Sequence, residues 1–203
     1  MNDQAHNYYT YYNRWLKSQD KSFPWLLRNI LVDEYSYAIP NPEAIETIIK
    51  HSPLVEIGCG LGYWAHLIRM CGGDIVAYDN AINEKGQVKL HSKNQYVTPY
   101  TTVIEGNEDS VKNNSDRTLF LCWPPMSNMG YECLHQYLQH GGQKLIYIGE
   151  GPGGCTGDDD FHQLLRNQME CIEIHSIPRW VCINDRMYIY QVKNRYQEQH
   201  DAP

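Results

Sequence analysis

The chain contains no apolar run close to the roughly 20 residues that cross a bilayer. Its first residues, MNDQAHNYYTYYNRW, lack a basic start followed by an apolar stretch. Neither a membrane span nor a secretory leader is therefore expected. An excess of basic residues is also missing: 17 Lys and Arg against 24 Asp and Glu leave a formal charge of −7. That argues against bulk binding to nucleic acid, which usually needs a basic face. Seven cysteines are present, at 59, 71, 122, 133, 155, 171 and 182, but no two form a CxxC pair. The spacing argues against a zinc site or a disulfide framework, and reduced thiols in a cytoplasmic protein are expected, with no metal. There is no internal repeat and no low-complexity linker. The 203 residues suit one domain with a real core, and are few for two.

What is present changes character near residue 50. Before it, the pattern is helical. Tyr8, Tyr11, Tyr12 and Trp15 fall at i, i+3, i+4 and i+7 and predict an aromatic helix face. FPWLLRNIL reads as a second helix. In IPNPEAIETIIKH, Asn41 can cap, Pro42 takes the first helical position, and Ile45, Ile48 and Ile49 form the stripe of a third. After residue 50, short apolar runs alternate with helical stretches. The strands read are LVEIG, DIVAYD, YTTVIEG, TLFLC, KLIYIGE, CIEIHSI and RMYIYQVK, the last two able to pair antiparallel. YWAHLIRMC, with Trp64, Leu67, Ile68 and Cys71 on one face, YECLHQYLQH and DDFHQLLRNQM read as helices. A helical cap over 1–50, a sheet domain over 51–195 and a frayed tail over 196–203 are expected.

Alternation of strand and helix implies an α/β fold with a largely parallel sheet and helices on both faces. Ligands of such sheets bind beyond the carboxyl ends of the strands. EIGCGLGYW follows the first strand and opens a helix, so Gly58, Gly60 and Gly62 allow a tight turn and a close approach of backbone to ligand. Asp79, at the end of the second strand, can accept both hydroxyls of a ribose. A glycine loop with a distal acid is the logic of a nucleoside cofactor site.

E-I-G-C-G-L-G resembles motif I of the class I S-adenosylmethionine-dependent methyltransferases, in the form E/D-x-G-x-G-x-G, and the likeness runs over about residues 52–192. It implies a Rossmann-like seven-stranded sheet in the order 3-2-1-4-5-7-6 with the last strand antiparallel, and S-adenosyl-L-methionine as cofactor. By that resemblance Gly58, Gly60 and the neighbouring Cys59, Gly62 and Trp64 border the cofactor. Glu56 acts near its amino group, Asp79 with Asn80 holds the ribose, Asn107 or Glu108 lies near the adenine, and Cys122 with Trp123 closes the far side.

CWPPM, at the end of the fourth strand, resembles the (D/N/S)-P-P-(Y/F/W) motif of enzymes that methylate planar nitrogens, but here Trp123 stands first and Met126 last. The amide or acid is missing, which argues against an adenine or glutamine enzyme. Pro124 and Pro125 would still form a corner presenting a carbonyl, with Trp123 as a pocket wall. Longer stretches, YAIPNPEAI, EIGCGLGYWA, LFLCWPP, YIGEGPGGCTGDDDF and IPRW with DRMYIY, resemble a group of methyltransferase-like proteins of about this length that carries no assigned substrate. Glu150, directly after the fifth strand, is the first candidate for a general base or for holding a substrate amine. His162 and Tyr37 are further candidates on the substrate side, and the glycine-rich acidic loop after Glu150 could close over a substrate, with Thr156 or Asp158 capping the next helix. Transfer to N, O or S of a small molecule is the leading expectation. An RNA or protein N-methyltransferase with WPP in place of NPP, and a cofactor-binding protein without turnover, are the alternatives.

Overall fold

The computed structural model describes residues 7–18, 24–90 and 93–193. The tail expected to fray lies outside them. Three helices come first: α1 (Asn7–Lys17), α2 (Pro24–Glu34) and α3 (Pro42–Ile49). α3 starts as its sequence dictates, with the Asn41 side chain accepting the Ala44 amide at 3.2 Å and Pro42 in the first turn. Strand and helix then alternate: β1 (Leu54–Ile57), α4 (Tyr63–Met70), β2 (Ile75–Asp79), the short β3 (Val88–Lys89), β4 (Tyr96–Val97) and β5 (Ile104–Glu105). A 3₁₀ turn over Glu108–Asn113 leads into β6 (Thr118–Cys122), α5 (Met129–Gln139), β7 (Lys144–Gly149), α6 (Asp159–Gln168), β8 (Met169–Ser176) and β9 (Arg186–Val192).

Seven strands form one sheet in the order β5-β2-β1-β6-β7-β9-β8. The pairs on the β5 side through β7 are parallel, while β9 runs antiparallel to both β7 and β8. Counting only these strands along the chain, the order is 3-2-1-4-5-7-6 with the seventh reversed. β3 and β4 pair separately as a two-residue ladder inside the segment between β2 and β5. The expected third strand over YTTVIEG shrinks to Ile104–Glu105, because the preceding residues turn away to pack Tyr100 and Val103 against the start of α4.

The sheet separates two apolar layers. On one face Leu54, Phe120, Ile146, Ile148 and Ile189 pack with α3, α4 and the buried aromatics Tyr8, Tyr12 and Tyr35. On the other, Val55, Leu119, Leu121 and Leu145 pack with α5 and α6 through Leu134, Tyr137, Phe161 and Leu165. Strand alternation does this sorting, since successive residues point to opposite faces. The expected helix stripes hold except at their edges: Tyr11 is 46% exposed and Cys71 is exposed, both one position beyond the buried arc. Among the described residues, no helix is long and apolar enough to cross a membrane.

Candidate functional site

At the carboxyl end of β1 the chain turns through three glycines, all in the left-handed region: Gly58 (φ 72°), Gly60 (φ 54°) and Gly62 (φ 66°). Only glycine takes such angles without strain, which is why the turn can be this tight. The amides of Gly58 and Cys59 both donate to the Tyr78 carbonyl at the end of β2, at 2.9 and 3.0 Å. Asp79 then fixes the turn from the side: its Oδ2 accepts the Gly60 amide at 2.7 Å and its Oδ1 the Ala81 amide at 2.8 Å. A β-carbon at Gly60 would meet nothing within 4 Å, so the loop opens onto free space there, whereas one at Gly58 would meet the Met129 methyl at 2.7 Å.

Glu56 lies just below this turn, 2% exposed, with an Oε2 that has no hydrogen-bond partner. Burial, then the negative charge of Asp79, raises its carboxyl to about 8, with Arg69 pulling weakly the other way. Burial also raises Asp79, against the two amides that favour its charged form. The Cys59 and Cys122 thiols are pushed well up, first by burial and next by Glu56, so neither is poised as a thiolate.

The second group of residues gathers at the ends of β6 and β7. Trp123 continues the ladder, its amide donating to the Ile148 carbonyl at 2.8 Å, but its φ is 58°, a left-handed angle rare for a bulky residue. Its indole N–H donates to Asp185 Oδ1 at 2.8 Å. Asp185 is 3% exposed, and burial raises its carboxyl to about 6 against that hydrogen bond. Tyr37 stacks on Trp123 with ring centroids 4.8 Å apart and planes 17° from parallel. The two prolines take the chain out of the sheet: Pro124 is buried, and Pro125 and Met126 are exposed.

The loop after β7 is braced at every turn. Glu150, 7% exposed, accepts the Cys155 amide on Oε2 at 2.8 Å and the Asn184 amide on Oε1 at 2.6 Å. Its own amide donates to Thr156 Oγ1 at 2.7 Å, and the Tyr147 hydroxyl donates to its carbonyl at 2.6 Å. The Thr156 carbonyl meets His162 Nε2 at 3.0 Å, and the Gly157 amide donates to the Pro124 carbonyl at 2.9 Å.

These contacts revise several sequence expectations. Glu150, expected as a general base, is taken up by the loop: burial raises its carboxyl, but the bonds from Cys155 and Asn184 outweigh that and hold it below the usual carboxylate range. His162 is 5% exposed and meets the Thr156 carbonyl within the loop. The Pro124 carbonyl, expected to face an acceptor, anchors Gly157. The glycine-rich loop is pinned rather than free to close, and Asp158, not Thr156, caps α6 by accepting the Phe161 amide at 2.8 Å. Trp64 lies inside the core, 2% exposed and edge-on to Phe120. Asn80 is exposed beside Asp79, and exposed Asn107 caps the 3₁₀ turn begun by Glu108. Tyr37 covers Trp123. Asp185 and Arg28 were missed: each meets Trp123 from far along the chain, and long-range pairing leaves no local signal. A separate groove of about 500 Å³ between Ile45, Ile49, Met70 and Cys71 lies beside the end of α4, away from these strand ends.

No family model matches the chain, and no curated protein sequence matches it. Among solved structures, magnesium protoporphyrin IX methyltransferase from Synechocystis PCC 6803 with bound SAM is 13% identical, with a TM-score of 0.47 over 94% of this chain and 96% of that one. Human N-acetylserotonin methyltransferase with SAM is 12% identical, with a TM-score of 0.47 over 94% of this chain and 60% of that one. An rRNA methylase from Streptococcus thermophilus is 12% identical, with a TM-score of 0.44 over 77% of this chain and 99% of that one.

Proposed function

We propose that the protein is an S-adenosylmethionine-dependent methyltransferase acting on a small molecule. One observation carries the reading: three left-handed glycines after β1 are tied to an acid at the end of β2, in a sheet whose seventh strand is reversed. The residues present suit such a cofactor. Free space at Gly60 leaves room for its methionine part. Each Asp79 oxygen accepts one amide and keeps lone pairs for a ribose hydroxyl. The unpartnered Glu56 oxygen is a buried acceptor waiting for a donor, and an ammonium would favour its ionised form.

When bound, the cofactor supplies an electrophilic methyl on a sulfonium. The chain's own contribution is positioning. The glycine turn and Asp79 fix where a ligand sits, and Trp123, locked by Asp185, offers a flat wall at the next strand end. Glu150 keeps that wall in place by joining the loops after β7 and before β9. The carboxylates at that strand end, Glu150 and Asp185, are both engaged in hydrogen bonds within the protein, so orientation of the acceptor is the main lever on rate. A compact, acidic chain favours a small acceptor over RNA.

Calorimetry with S-adenosylhomocysteine tests the reading. The parent is expected to bind, and Gly60→Val to lose binding while its circular dichroism stays near that of the parent. Asp79→Ala is expected to weaken binding by about 1–3 kcal/mol. A parent that does not bind, or a Gly60→Val variant that binds as the parent does, defeats the assignment.

A further inference from the structure

Arg28, on α2, lies beside three aromatic rings and makes no direct ion pair among the described residues. Its guanidinium carbon lies 5.4 Å from the Trp123 ring centroid, 5.8 Å from Trp25 and 5.9 Å from Tyr37. Its Nε is buried with no hydrogen-bond partner, and none of the ion pairs among the described residues includes it. Ring faces stabilise a cation, but they do not satisfy a buried N–H, and an unpaired buried donor is costly. The guanidinium presents a planar fork whose geometry matches a carboxylate.

The surroundings are as constrained as Arg28 is unsatisfied. Trp123 holds a left-handed backbone angle, and its one polar atom is already bonded to Asp185, so it offers only its ring. A bulky side chain kept in such a conformation needs surroundings that over-determine it, as functional sites provide. Tyr37 stacks on Trp123, so the two rings form a layered aromatic pair beside the guanidinium. The place is the end of β6, beside the strand end that carries the glycine turn. Asp185 feels the negative charge of Glu150 and the positive charge of Arg28, so the region already contains two carboxyl groups and suits a monoanion better than a dianion.

Resting on the methyltransferase reading for the place of the acceptor, we propose that Arg28 and Trp123 set its specificity. They receive a planar small molecule bearing a carboxylate, with the carboxylate on the guanidinium and the ring beside the stacked Trp123–Tyr37 pair. Both residues bind and orient. The methylated atom lies elsewhere on the acceptor.

Benzoate, nicotinate and indole-3-acetate provide the probes, each beside its primary amide, with phenyl phosphate as a dianionic competitor. They are titrated into protein saturated with S-adenosylhomocysteine, and binding is read by ligand-observed NMR and by tryptophan fluorescence. At least one acid is expected to bind about tenfold or more tightly than its amide. Arg28→Met is expected to erase that preference, and Arg28→Lys, which keeps charge but loses the fork, to keep part of it. Equal binding of acids and amides, no binding of any, or a preference that survives Arg28→Met overturns the proposal. Phenyl phosphate outbinding every acid overturns the carboxylate assignment. The affinity for S-adenosylhomocysteine, measured alongside, separates the two readings. Acid binding without it sinks the cofactor and leaves Arg28 standing, and the reverse result sinks Arg28 alone.

Discussion

Glu56 and Glu150 are two carboxyl groups at the ends of strands on either side of β6, with opposite fates. Glu56 receives no donor, and its carboxyl rises to about 8. Between the ordinary carboxylate value and about 8, the folded protein therefore holds a proton that the unfolded chain has released. Stability from this group is full at low pH and declines as pH rises through that window. Glu56→Gln is expected to remove the slope and to raise stability at pH 8 by about 3–5 kcal/mol, at about 1.4 kcal/mol per unit. Urea melts at pH 5 and pH 8 check it, and a variant with the parent's slope would show that Glu56 does not titrate there. Glu150 has the contrary sign: its lowered carboxyl stabilises the fold above the ordinary range and stops doing so in acid. Glu150→Gln is expected to cost about 2–3 kcal/mol at pH 7, since an amide cannot accept from both Cys155 and Asn184 as the carboxylate does. A thermal melt unchanged from the parent would remove Glu150 from the brace. The position of each acid was legible in the sequence. What met it there was not, because the Asn184 amide reaches Glu150 from 34 residues away.

Among elements, the glycine turn was read correctly and the loop after β7 was not, and composition explains both. Three glycines between a strand and a helix announce a left-handed turn, because few other residues tolerate one. Five glycines and four acids over residues 149–161 look mobile, yet the Tyr147 hydroxyl, the Thr156 hydroxyl and the Glu150 backbone close into a buried knot. The glycines there serve close approach: a β-carbon at Gly149 would meet Thr156 Oγ1 at 2.6 Å and the Tyr147 hydroxyl at 2.7 Å. Thr156 is fully buried, so Thr156→Val keeps shape while leaving the Glu150 amide without its acceptor. A loss of about 1–3 kcal/mol is expected, with Thr156→Ser losing less. Hydrogen exchange at the Glu150 amide reports the knot directly. Exchange as slow in Thr156→Val as in the parent would mean that another group holds the loop.

At the scale of the molecule, a largely parallel sheet was legible because helix and strand alternate so regularly, and an antiparallel last pair because two strands follow each other without a helix between them, while the strand order came only with the resemblance to the methyltransferases. The relation of the first 50 residues to the rest was less so. Read as a cap, they suggest a separable unit, but the core does not divide there. Tyr8, Tyr12, Leu31, Tyr35, Ile45 and Ile48 share one apolar layer with Leu54, Phe120, Ile146 and Ile189 of the sheet. Trp180, in the segment before β9, donates its indole N–H to the Tyr8 hydroxyl at 3.0 Å, and the Tyr12 hydroxyl donates to the Arg179 carbonyl at 2.8 Å. From the other side, Lys93 pairs with Asp33 at 3.1 Å and the Tyr100 hydroxyl donates to the Glu34 carbonyl at 3.0 Å. The helices are thus fastened to both ends of the sheet and to its face. A shared core unfolds as one unit when no part can keep its buried surface alone. Urea unfolding followed by tryptophan fluorescence, which samples Trp15 and Trp180 beside the helices and Trp64 against the sheet, should superimpose on unfolding followed by far-ultraviolet circular dichroism. A chain beginning at residue 51 should lose cooperative unfolding altogether, since it would expose the whole layer that Tyr8 and Tyr35 cover. Two separated transitions in the full chain, or a shortened chain that still unfolds cooperatively, would make the helices an independent cap.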